Sequence, residues 1–266
     1  MINITILGAA GRMGQALARG IVATNDLTLI GAVERANHPA LGHDAGTLAA
    51  LPAMGVAITD DRAAAIAKAD VVIDFTFHAV APENIADAVA AKKPYVLGTT
   101  GLNDAEAAAV HAAAKKIPVV WAPNYSLGVT ILGDLVRRAA AALGTAYDAE
   151  IVEMHHRHKK DAPSGTALGL GKSLAAGRNV NLNDVAIFGR EGITGERPEG
   201  QIAFHALRGG DVVGDHTVTF AADGERLELT HRASTRDCFV GGVLAAARWL
   251  PSRAPGLYAM PDVLGL

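Results

Sequence analysis

The strongest constraint on the fold is the alternation of short apolar segments with alanine-rich helical stretches over the first 125 residues. The apolar segments have the length of strands and lie at Ile2–Leu7, Leu27–Val33, Val56–Thr59, Val71–Phe75, Tyr95–Leu97 and Val119–Trp121. The helical stretches lie at Met13–Ala23, Arg62–Ala67, Ala79–Ala91 and Asn103–Lys115. Near-continuous apolar strands separated by helices indicate a parallel sheet that is buried on both faces. Because such crossovers are right-handed, the pattern predicts an α/β fold with a doubly wound parallel sheet.

The pattern changes after about residue 126. A helix is predicted at Leu127–Leu143, followed by the strand AEIVEMHH and by a second helix over 164–176. Three further strands follow at Ile202–Leu207, Asp211–Ala221 and Glu225–His231, joined by the short turns RGGD and ADGE. Strands joined by short glycine-containing turns are typical of antiparallel pairs. We therefore predict a second, α+β domain with a mixed, mainly antiparallel sheet, then a helix at Phe239–Leu250 and an irregular tail over 251–266.

A glycine-rich turn, ILGAAGRMG, joins the first strand to the first helix through Gly8, Gly11 and Gly14. Glycine lets backbone N–H groups approach a pyrophosphate at the positive end of a helix. The second strand ends at Glu34, 20 residues after Gly14, where a carboxylate can accept hydrogen bonds from ribose hydroxyls. Arg35 can pair with a 2′-phosphate, so the turn predicts a Rossmann-like domain that accepts NADH and NADPH. Tight strand–helix packing without a nucleotide is the alternative.

Two later segments also follow predicted strands, GTTG at 98–101 and APNYS at 122–126. Ligands of open α/β sheets bind at the carboxyl ends of the strands. Small polar side chains and backbone groups at these positions suit a nicotinamide carboxamide and its ribose, whereas ordinary βα turns are the alternative for each segment alone. Phe75, at the end of VVIDF, is either a nicotinamide contact or a core residue.

Composition narrows the class of protein. The formal charge of −3 over 266 residues gives no general basic field, which argues against a nucleic-acid partner. The single cysteine, Cys238, excludes an intrachain disulfide and a cysteine-rich zinc module, and it fits a reducing cytoplasm. No apolar run of about 18 residues and no signal-peptide pattern is present. We therefore expect a cytoplasmic protein with no membrane partner.

The stretch HHRHKKDAPSGTA, at 155–167, concentrates histidines and cations directly before a predicted helix. Ser164 is a natural N-cap after Pro163, and the first N–H groups of the helix then form a site for a carboxylate. His155 and Lys159 lie on the approach to this helix start and can exchange protons or supply positive charge. The stretch therefore predicts a cradle for a small anionic substrate.

Three other interpretations of the same stretch compete with an anion cradle. A zinc site is disfavoured because HHRH lacks the i, i+4 spacing of a helical histidine pair and the neighbouring lysines repel a cation, so we predict no metal. The overall negative charge disfavours a nucleic-acid patch. A solvated charged loop is the remaining alternative, because most runs of charge are solvated.

Five strings together, GAAGRMG, VVIDFT, GTTG, APNYS and EIVEMHHRHKKDAPSGTA, resemble the motifs of the 4-hydroxy-tetrahydrodipicolinate reductase family, also called dihydrodipicolinate reductases. The resemblance implies NADH- or NADPH-dependent reduction of 4-hydroxy-tetrahydrodipicolinate or dihydrodipicolinate, a small dicarboxylate, to tetrahydrodipicolinate in the diaminopimelate route to lysine. It also implies a homotetramer. The dinucleotide-binding domain would comprise 1–126 and 236–266, and the substrate-binding and oligomerisation domain 127–235.

The resemblance also implies roles for individual residues. His155 matches the proton donor/acceptor and Lys159 the proton donor. The substrate-binding candidates are His156, Gly165 and Thr166, to which we add the predicted N-cap Ser164. The cofactor-binding candidates are Gly8, Ala9, Ala10, Gly11, Arg12, Met13, Glu34, Arg35, Gly98, Thr99, Thr100, Ala122, Pro123, Asn124 and Tyr125. Lys160 departs from the family pattern, which leaves open which of the two adjacent lysines points inward.

Two other classes of function compete with this reductase. A related dehydrogenase for a phosphorylated or semialdehyde substrate would use a nucleophilic cysteine in acyl-transfer chemistry. Cys238, however, lies far in sequence from the other motifs. A non-catalytic NAD(P) sensor would keep the glycine turn and Glu34 but would not need His155, Lys159 and a capped helix start together.

Overall fold

The computed structural model of the chain describes residues 1–235 and 237–266. Within these residues the chain forms two compact units, one made of Met1–Ser126 with Phe239–Leu266 and the other of Leu127–Cys238. Position 236, at which the sequence predicts the return to the first domain, lies outside the described residues.

The elements of both units are numbered in chain order. The strands are β1 Ile2–Leu7, β2 Leu27–Val33, β3 Ile58–Thr59, β4 Val71–Asp74, β5 Tyr95–Leu97, β6 Pro118–Trp121, β7 Asp148–His155, β8 Ala186–Phe188, β9 Ile202–Arg208, β10 Gly214–Ala222, β11 Glu225–Ala233 and β12 Gly256–Tyr258. The helices are α1 Arg12–Val22, α2 Ala45–Leu48, α3 Arg62–Lys68, α4 Ala81–Ala90, α5 Asp104–Ala114, α6 Leu127–Leu143, α7 Gly165–Gly177, α8 Leu182–Val185, α9 Cys238–Trp249 and α10 Met260–Leu264.

The first unit is built on a parallel sheet, in which seven strands of the described chain follow the order β12-β6-β5-β4-β1-β2-β3. The chain starts at β1, proceeds outward to β3, and returns to the other side of β1 with β4. This order is that of a Rossmann-like doubly wound sheet, which confirms the predicted fold. Every residue of β4 and β5 is buried, as expected for a parallel sheet covered by helices.

The C-terminal tail is more regular than the sequence predicts. Gly256–Tyr258 forms β12, which pairs with β6, and Met260–Leu264 forms α10. The side chain of Tyr258 packs edge-on against Trp249, with ring centroids 5.0 Å apart. A three-residue strand has too little pattern to be recognised locally, because pairing with the existing edge of the sheet stabilises it.

The second unit contains a mixed sheet, as predicted, with the order β11-β10-β7-β9-β8 among the described residues. β10 is antiparallel to both β7 and β11, whereas β9 is parallel to β7 and β8, and the antiparallel strand pairs join 16 residue pairs against 10 in the parallel ones. The ADGE turn does join an antiparallel hairpin, in which Ala222 pairs with Glu225. The RGGD turn does not, because β7 lies between β9 and β10 and the Gly209–Gly210 connection passes the end of β7.

The core of this unit lies between the sheet and the helices α6 and α7. It includes Val136 of α6, Leu174 of α7, Ile151 of β7 and Phe220 of β10, all fully buried. Residues along β7 alternate between half-buried and buried, and Ala149 and Ile151 occupy the core face. The same alternation brings two polar side chains, Glu153 and His155, into the buried row beyond the apolar core.

Candidate active site

The glycine turn of the first unit has a backbone that larger residues cannot adopt. Gly8 has φ +80, and a Cβ at this position would lie 2.6 Å from the carbonyl oxygen of Phe75. A Cβ at Gly14 would lie 2.3 Å from the carbonyl oxygen of Gly8. Gly11 precedes α1 and has no side chain with which to cap the helix. The positive end of α1 is therefore suited to an anion such as a pyrophosphate.

Glu34 and Arg35 lie beside this turn. Glu34 is half-buried, and its Oε1 accepts a hydrogen bond from the Ala10 N–H at 3.0 Å, whereas Arg35 is exposed. A cavity of about 900 Å³ opens at this edge of the sheet, and Gly8, Gly11, Glu34, Arg35 and Phe75 contribute to its wall. Its volume lies in the upper part of the usual range for ligand sites, roughly 300–1,000 Å³. These residues fit a dinucleotide.

The GTTG segment follows β5, and the ring of Phe75 packs against its backbone at Gly98. A Cβ at Gly98 would lie 2.1 Å from Cζ of Phe75, so only glycine leaves room for the ring. Thr99 is buried, and its hydroxyl donates to Oδ1 of Asp74 at 3.1 Å, whereas Thr100 is exposed. Phe75 is half-buried and lines the cavity, which favours a ligand contact over a core position.

APNYS follows β6, and its members differ in what they can offer a ligand. The Tyr125 hydroxyl is buried and shared between the carbonyl oxygens of Leu97 at 2.9 Å and Val120 at 3.1 Å. Burial raises the pKa of this hydroxyl, which stays protonated and holds the ends of β5 and β6 together. Pro123 is exposed and Asn124 half-buried.

The remaining cofactor-binding candidates lie in the glycine turn and at the end of β6. Arg12 is exposed and Met13 half-buried at the start of α1, while Ala9 and Ala122 are buried. Ala9 and Ala122 can therefore contribute only backbone groups or close packing to a ligand.

A carboxylate that the sequence does not single out, Asp74 at the end of β4, lies directly beneath these turns. It is fully buried. Within the described chain its donors are the Thr76 N–H and hydroxyl, the Thr99 hydroxyl, the Asn84 amide and the Tyr95 hydroxyl, at 2.5–3.1 Å. Because Thr76 and Thr99 belong to two different βα turns, the carboxylate fixes one turn relative to the other.

In the second unit, Glu153 and His155 form a buried pair at the end of β7. Glu153 is 1% exposed and His155 8% exposed. His155 Nδ1 lies 2.5 Å from Oε2 of Glu153, and Arg208 contacts both carboxylate oxygens at 2.8 Å. Burial raises the pKa of the Glu153 carboxyl, but the hydrogen bonds from Arg208 and His155 outweigh burial and bring this pKa below its usual value. The carboxylate is therefore ionised near neutral pH.

Ser164 is the N-cap of α7, as predicted. Its Oγ accepts from the Ala167 N–H at 3.1 Å and lies 3.0 Å from Nε2 of His216, while its own N–H donates to Glu153 at 3.0 Å. The backbone N–H of this serine is thus used within the protein, its hydroxyl is hydrogen-bonded to His216, and its side chain is buried. Ser164 therefore shapes the helix start, and its contact with the substrate stays a prediction.

His216 is a second buried histidine that sequence reasoning missed. It lies on β10 opposite Glu153, and its ring packs edge-on against that of His155, with centroids 5.1 Å apart. Burial, followed by the charge of His155, lowers the pKa of His216 to about 4, so this imidazole is neutral near neutral pH. The Ser164 hydroxyl and Nε2 of this neutral imidazole therefore share one hydrogen bond.

The loop after β7 brings the remaining substrate-binding candidates to the same end of the sheet. Lys159 is 19% exposed, with Nζ 3.0 Å from Oδ1 of Asp161, whereas Lys160 is exposed. His156 and Thr166 are half-buried. Gly165 is exposed at the first turn of α7, and a Cβ there would meet no atom within 4 Å. Of the two lysines, Lys159 is thus the less exposed one, and its ammonium group is held by Asp161.

Two searches of the described residues concern other kinds of site. Among residues 1–235 and 237–266, no group of three or more His, Cys, Asp and Glu side chains is arranged to hold a metal ion. No helix in this part of the chain is both long enough and apolar enough to cross a membrane.

The strand order, the glycine turn and the cavity define a nucleotide-binding unit typical of NAD(P)-dependent oxidoreductases. Family models described as the N-terminus and the C-terminus of dihydrodipicolinate reductase match residues 2–125 and 128–264. The chain belongs to the dihydrodipicolinate reductase family. It is an oxidoreductase that uses NADH or NADPH, and its function is the reduction of dihydrodipicolinate in the diaminopimelate route to lysine.

Individual relatives agree with this membership. A 4-hydroxy-tetrahydrodipicolinate reductase of Anaeromyxobacter dehalogenans (strain 2CP-C) is 52% identical over 266 residues, which cover 100% of this chain and 98% of the relative. The corresponding reductase of Ruegeria pomeroyi is 50% identical over 99% of this chain and 98% of its own length. A dihydrodipicolinate reductase from Paenisporosarcina sp. TG-14, solved with dipicolinate bound, has a TM-score of 0.77 at 25% identity, with 98% of each chain covered. The predicted family is confirmed.

Proposed function

We propose that the second unit binds the substrate and performs its protonation, with His155 and Lys159 as the proton-transfer residues. The observation that carries this proposal is the buried Glu153–His155 pair beside the capped start of α7. The substrate is 4-hydroxy-tetrahydrodipicolinate or the dihydrodipicolinate derived from it, and the product is tetrahydrodipicolinate. Bound NADH or NADPH supplies the hydride.

Two carboxylates on a small ring require positive charge and N–H donors. The exposed start of α7 at Gly165 presents backbone N–H groups and the positive end of a 13-residue helix. Thr166, His156 and Lys159 lie next to this helix start and complete a clamp for a dicarboxylate. The relative solved with dipicolinate bound supports a ligand of this chemistry.

Hydride addition to the conjugated C=C–C=N system of the substrate leaves an electron-rich enamine, which must take up a proton. His155 donates its Nδ1 hydrogen to Glu153, so Nε2 is the nitrogen that exchanges protons. A Cβ at Gly214 would lie 3.0 Å from this Nε2, so the glycine keeps space open beside it. The reduction consumes one hydride and one proton; Lys159, which is partly buried, is the second candidate donor of that one proton and stabilises negative charge.

The roles of the two units follow from these sites. The domain predicted over 1–126 and 236–266, which contains the glycine turn, binds NADH or NADPH through the fifteen candidate residues at its strand ends, and the domain predicted over 127–235 binds substrate. The second unit also carries oligomerisation into a homotetramer, which is supported by an exposed β11 and by exposed apolar side chains at Leu207 and Leu227. The single cysteine and the biosynthetic role favour the cytoplasm.

The assay that tests these roles follows NAD(P)H absorbance with enzymatically generated substrate. His155→Gln and Lys159→Ala should each lower kcat by at least about a hundredfold, the usual contribution of a positioned acid or base. Lys160→Ala is the matched control, because the side chain of Lys160 is exposed and Lys160 directly follows Lys159 in the sequence. Undiminished kcat in the first two variants, or an equal loss in Lys160→Ala, would contradict the assigned roles.

A further inference from the structure

Glu153 connects three elements of the second unit through one buried carboxylate. Oε2 accepts from His155 on β7 and Nη1 of Arg208 on β9, and Oε1 accepts from Nη2 of the same arginine and the Ser164 N–H. Each oxygen thus has two donors, and the carboxylate holds the proton-transfer histidine and the start of α7 in one arrangement.

The geometry of the sheet sets this arrangement. Residues 153 and 155 share the buried face of β7, because side chains alternate along a strand. Arg208 is the register partner of His155 on the neighbouring strand β9, and its side chain is 21% exposed. It also donates to the carbonyl oxygen of Asp161 at 2.8 Å, which ties the loop after β7 to the same guanidinium.

A carboxylate that receives the Nδ1 hydrogen of an imidazole determines the tautomer of the ring and its direction. A paired arginine contact is planar and directional, so it prevents the carboxylate from rotating away. The ring of His216 packs edge-on with that of His155 and is itself held by Ser164, which further restricts the ring of His155. These contacts leave one nitrogen, Nε2, directed away from the carboxylate.

We propose that Glu153 and Arg208 are positioning residues for the reaction: Glu153 fixes the tautomer and direction of His155, and Arg208 holds the Glu153 carboxylate in place. This proposal rests on the proposed function, since it takes His155 as the residue that exchanges a proton with the substrate. Neither positioning residue needs to contact the substrate or the cofactor.

A mutant cycle with His155 tests the proposal. Glu153→Gln should lower kcat by roughly 10- to 100-fold, the range for residues that orient a functional ligand, while KM for substrate and cofactor changes less than about threefold. In the His155→Gln background the same change should lower kcat by less than about twofold, because no imidazole remains to be oriented. A full loss in that background would overturn the proposal.

Arg208→Lys is the second variant, for the case that Glu153→Gln does not fold. Lysine retains the charge but cannot contact both oxygens in a plane, so kcat should fall about tenfold, and this loss should also vanish without His155. Glu150→Gln is the matched control: Glu150 lies on the same strand and is likewise held by guanidinium groups, from Arg190 and Arg197, and by an imidazole, from His205. It should change stability but not kcat.

The tautomer itself gives a readout that does not depend on activity. In 15N-histidine-labelled enzyme, His155 should carry its hydrogen on Nδ1, and Glu153→Gln should redistribute it. Unchanged 15N shifts would contradict the positioning role even if kcat fell. If His155→Gln retained full activity, the proposed function would fail while the 15N result still decided what Glu153 does, so the two failures are distinguishable.

Discussion

Asp74 in the first unit and Glu153 in the second are both carboxylates that fold into the interior, but their partners differ in kind. Hydroxyl, amide and backbone N–H groups surround Asp74, and the guanidinium of Arg62 donates to Asn84 rather than to this carboxylate. Glu153 is held by a guanidinium and an imidazole directly. Neutral donors fix the shape of two turns beside the cavity, whereas Arg208 and His155 hold Glu153 next to the side chain to which we assign proton transfer.

The two carboxylates also differ in what their removal should change. Asp74 holds Thr76 and Thr99, whose turns face the cavity of the nucleotide-binding unit, so replacing Asp74 should change the shape of these turns. Glu153 holds the side chain of His155 and the start of α7, so replacing Glu153 should slow the chemical step. Burial alone therefore does not tell whether a carboxylate serves stability or reaction; the identity of its donors does.

The largest expected effect on stability follows from removing the carboxylate of Asp74 from its uncharged hydrogen-bond donors. Asp74→Ala leaves the buried Tyr95 hydroxyl and Asn84 amide without their acceptor, and should lower the free energy of unfolding by about 3 to 5 kcal/mol. Glu153→Ala should lower it by about 1 to 3 kcal/mol, because the partly exposed Arg208 can regain water. Urea denaturation of both variants checks the order, and the reverse order would break the comparison.

Much of this architecture was predictable from local sequence. The period of the apolar segments and the glycine turn predict the Rossmann-like unit, and the sequence around Ser164 predicts the start of α7. The strand order of the second sheet was not predictable, because the insertion of β7 between β9 and β10 depends on contacts far apart in sequence.

The buried polar partners are the main part of the candidate site that the sequence does not reveal. Arg208 and His216 reach Glu153 and Ser164 from strands that are 52 or more residues away, and no local motif marks them. Asp74 likewise resembles an ordinary strand end, since its donors come from three later segments. The residues to which we assign proton transfer stand in a recognisable string, whereas those that we propose orient them are identified only by packing.

The stability of the second unit should depend on pH through the buried His216. The pKa of His216 in the folded protein, about 4, lies below the usual histidine pKa of 6.5, so the unfolded chain binds more protons between these two values. Stability of the second unit should therefore fall as pH decreases from about 6.5 to about 4, by at most about 1.4 kcal/mol per unit. His216→Gln should flatten this slope, and His158→Gln, at an exposed position, is the control.

Hydrogen exchange in the strands of each unit measures the effect separately. Exchange from β7 and β10 should accelerate in mild acid more than exchange from β4 and β5, because His216 is in the second unit. Equal acceleration in both sheets, or a slope unchanged by His216→Gln, would show that the acid sensitivity has another source.

The smallest expected effect concerns a third carboxylate, Glu34, which is only half-buried and accepts hydrogen bonds from the N–H groups of Ala10 and Arg35. Glu34→Ala should weaken NADH binding by about 1 kcal/mol, roughly fivefold in Kd, because one hydrogen-bonded contact to the ribose is lost. NADPH should lose less, because Arg35 still faces its 2′-phosphate, and Arg35→Ala should show the opposite preference. Calorimetric titration of both cofactors gives the four Kd values. An equal loss for NADH and NADPH in Glu34→Ala would remove Glu34 from the ribose site and leave it with the role that Asp74 has, fixing the turn through the Ala10 N–H.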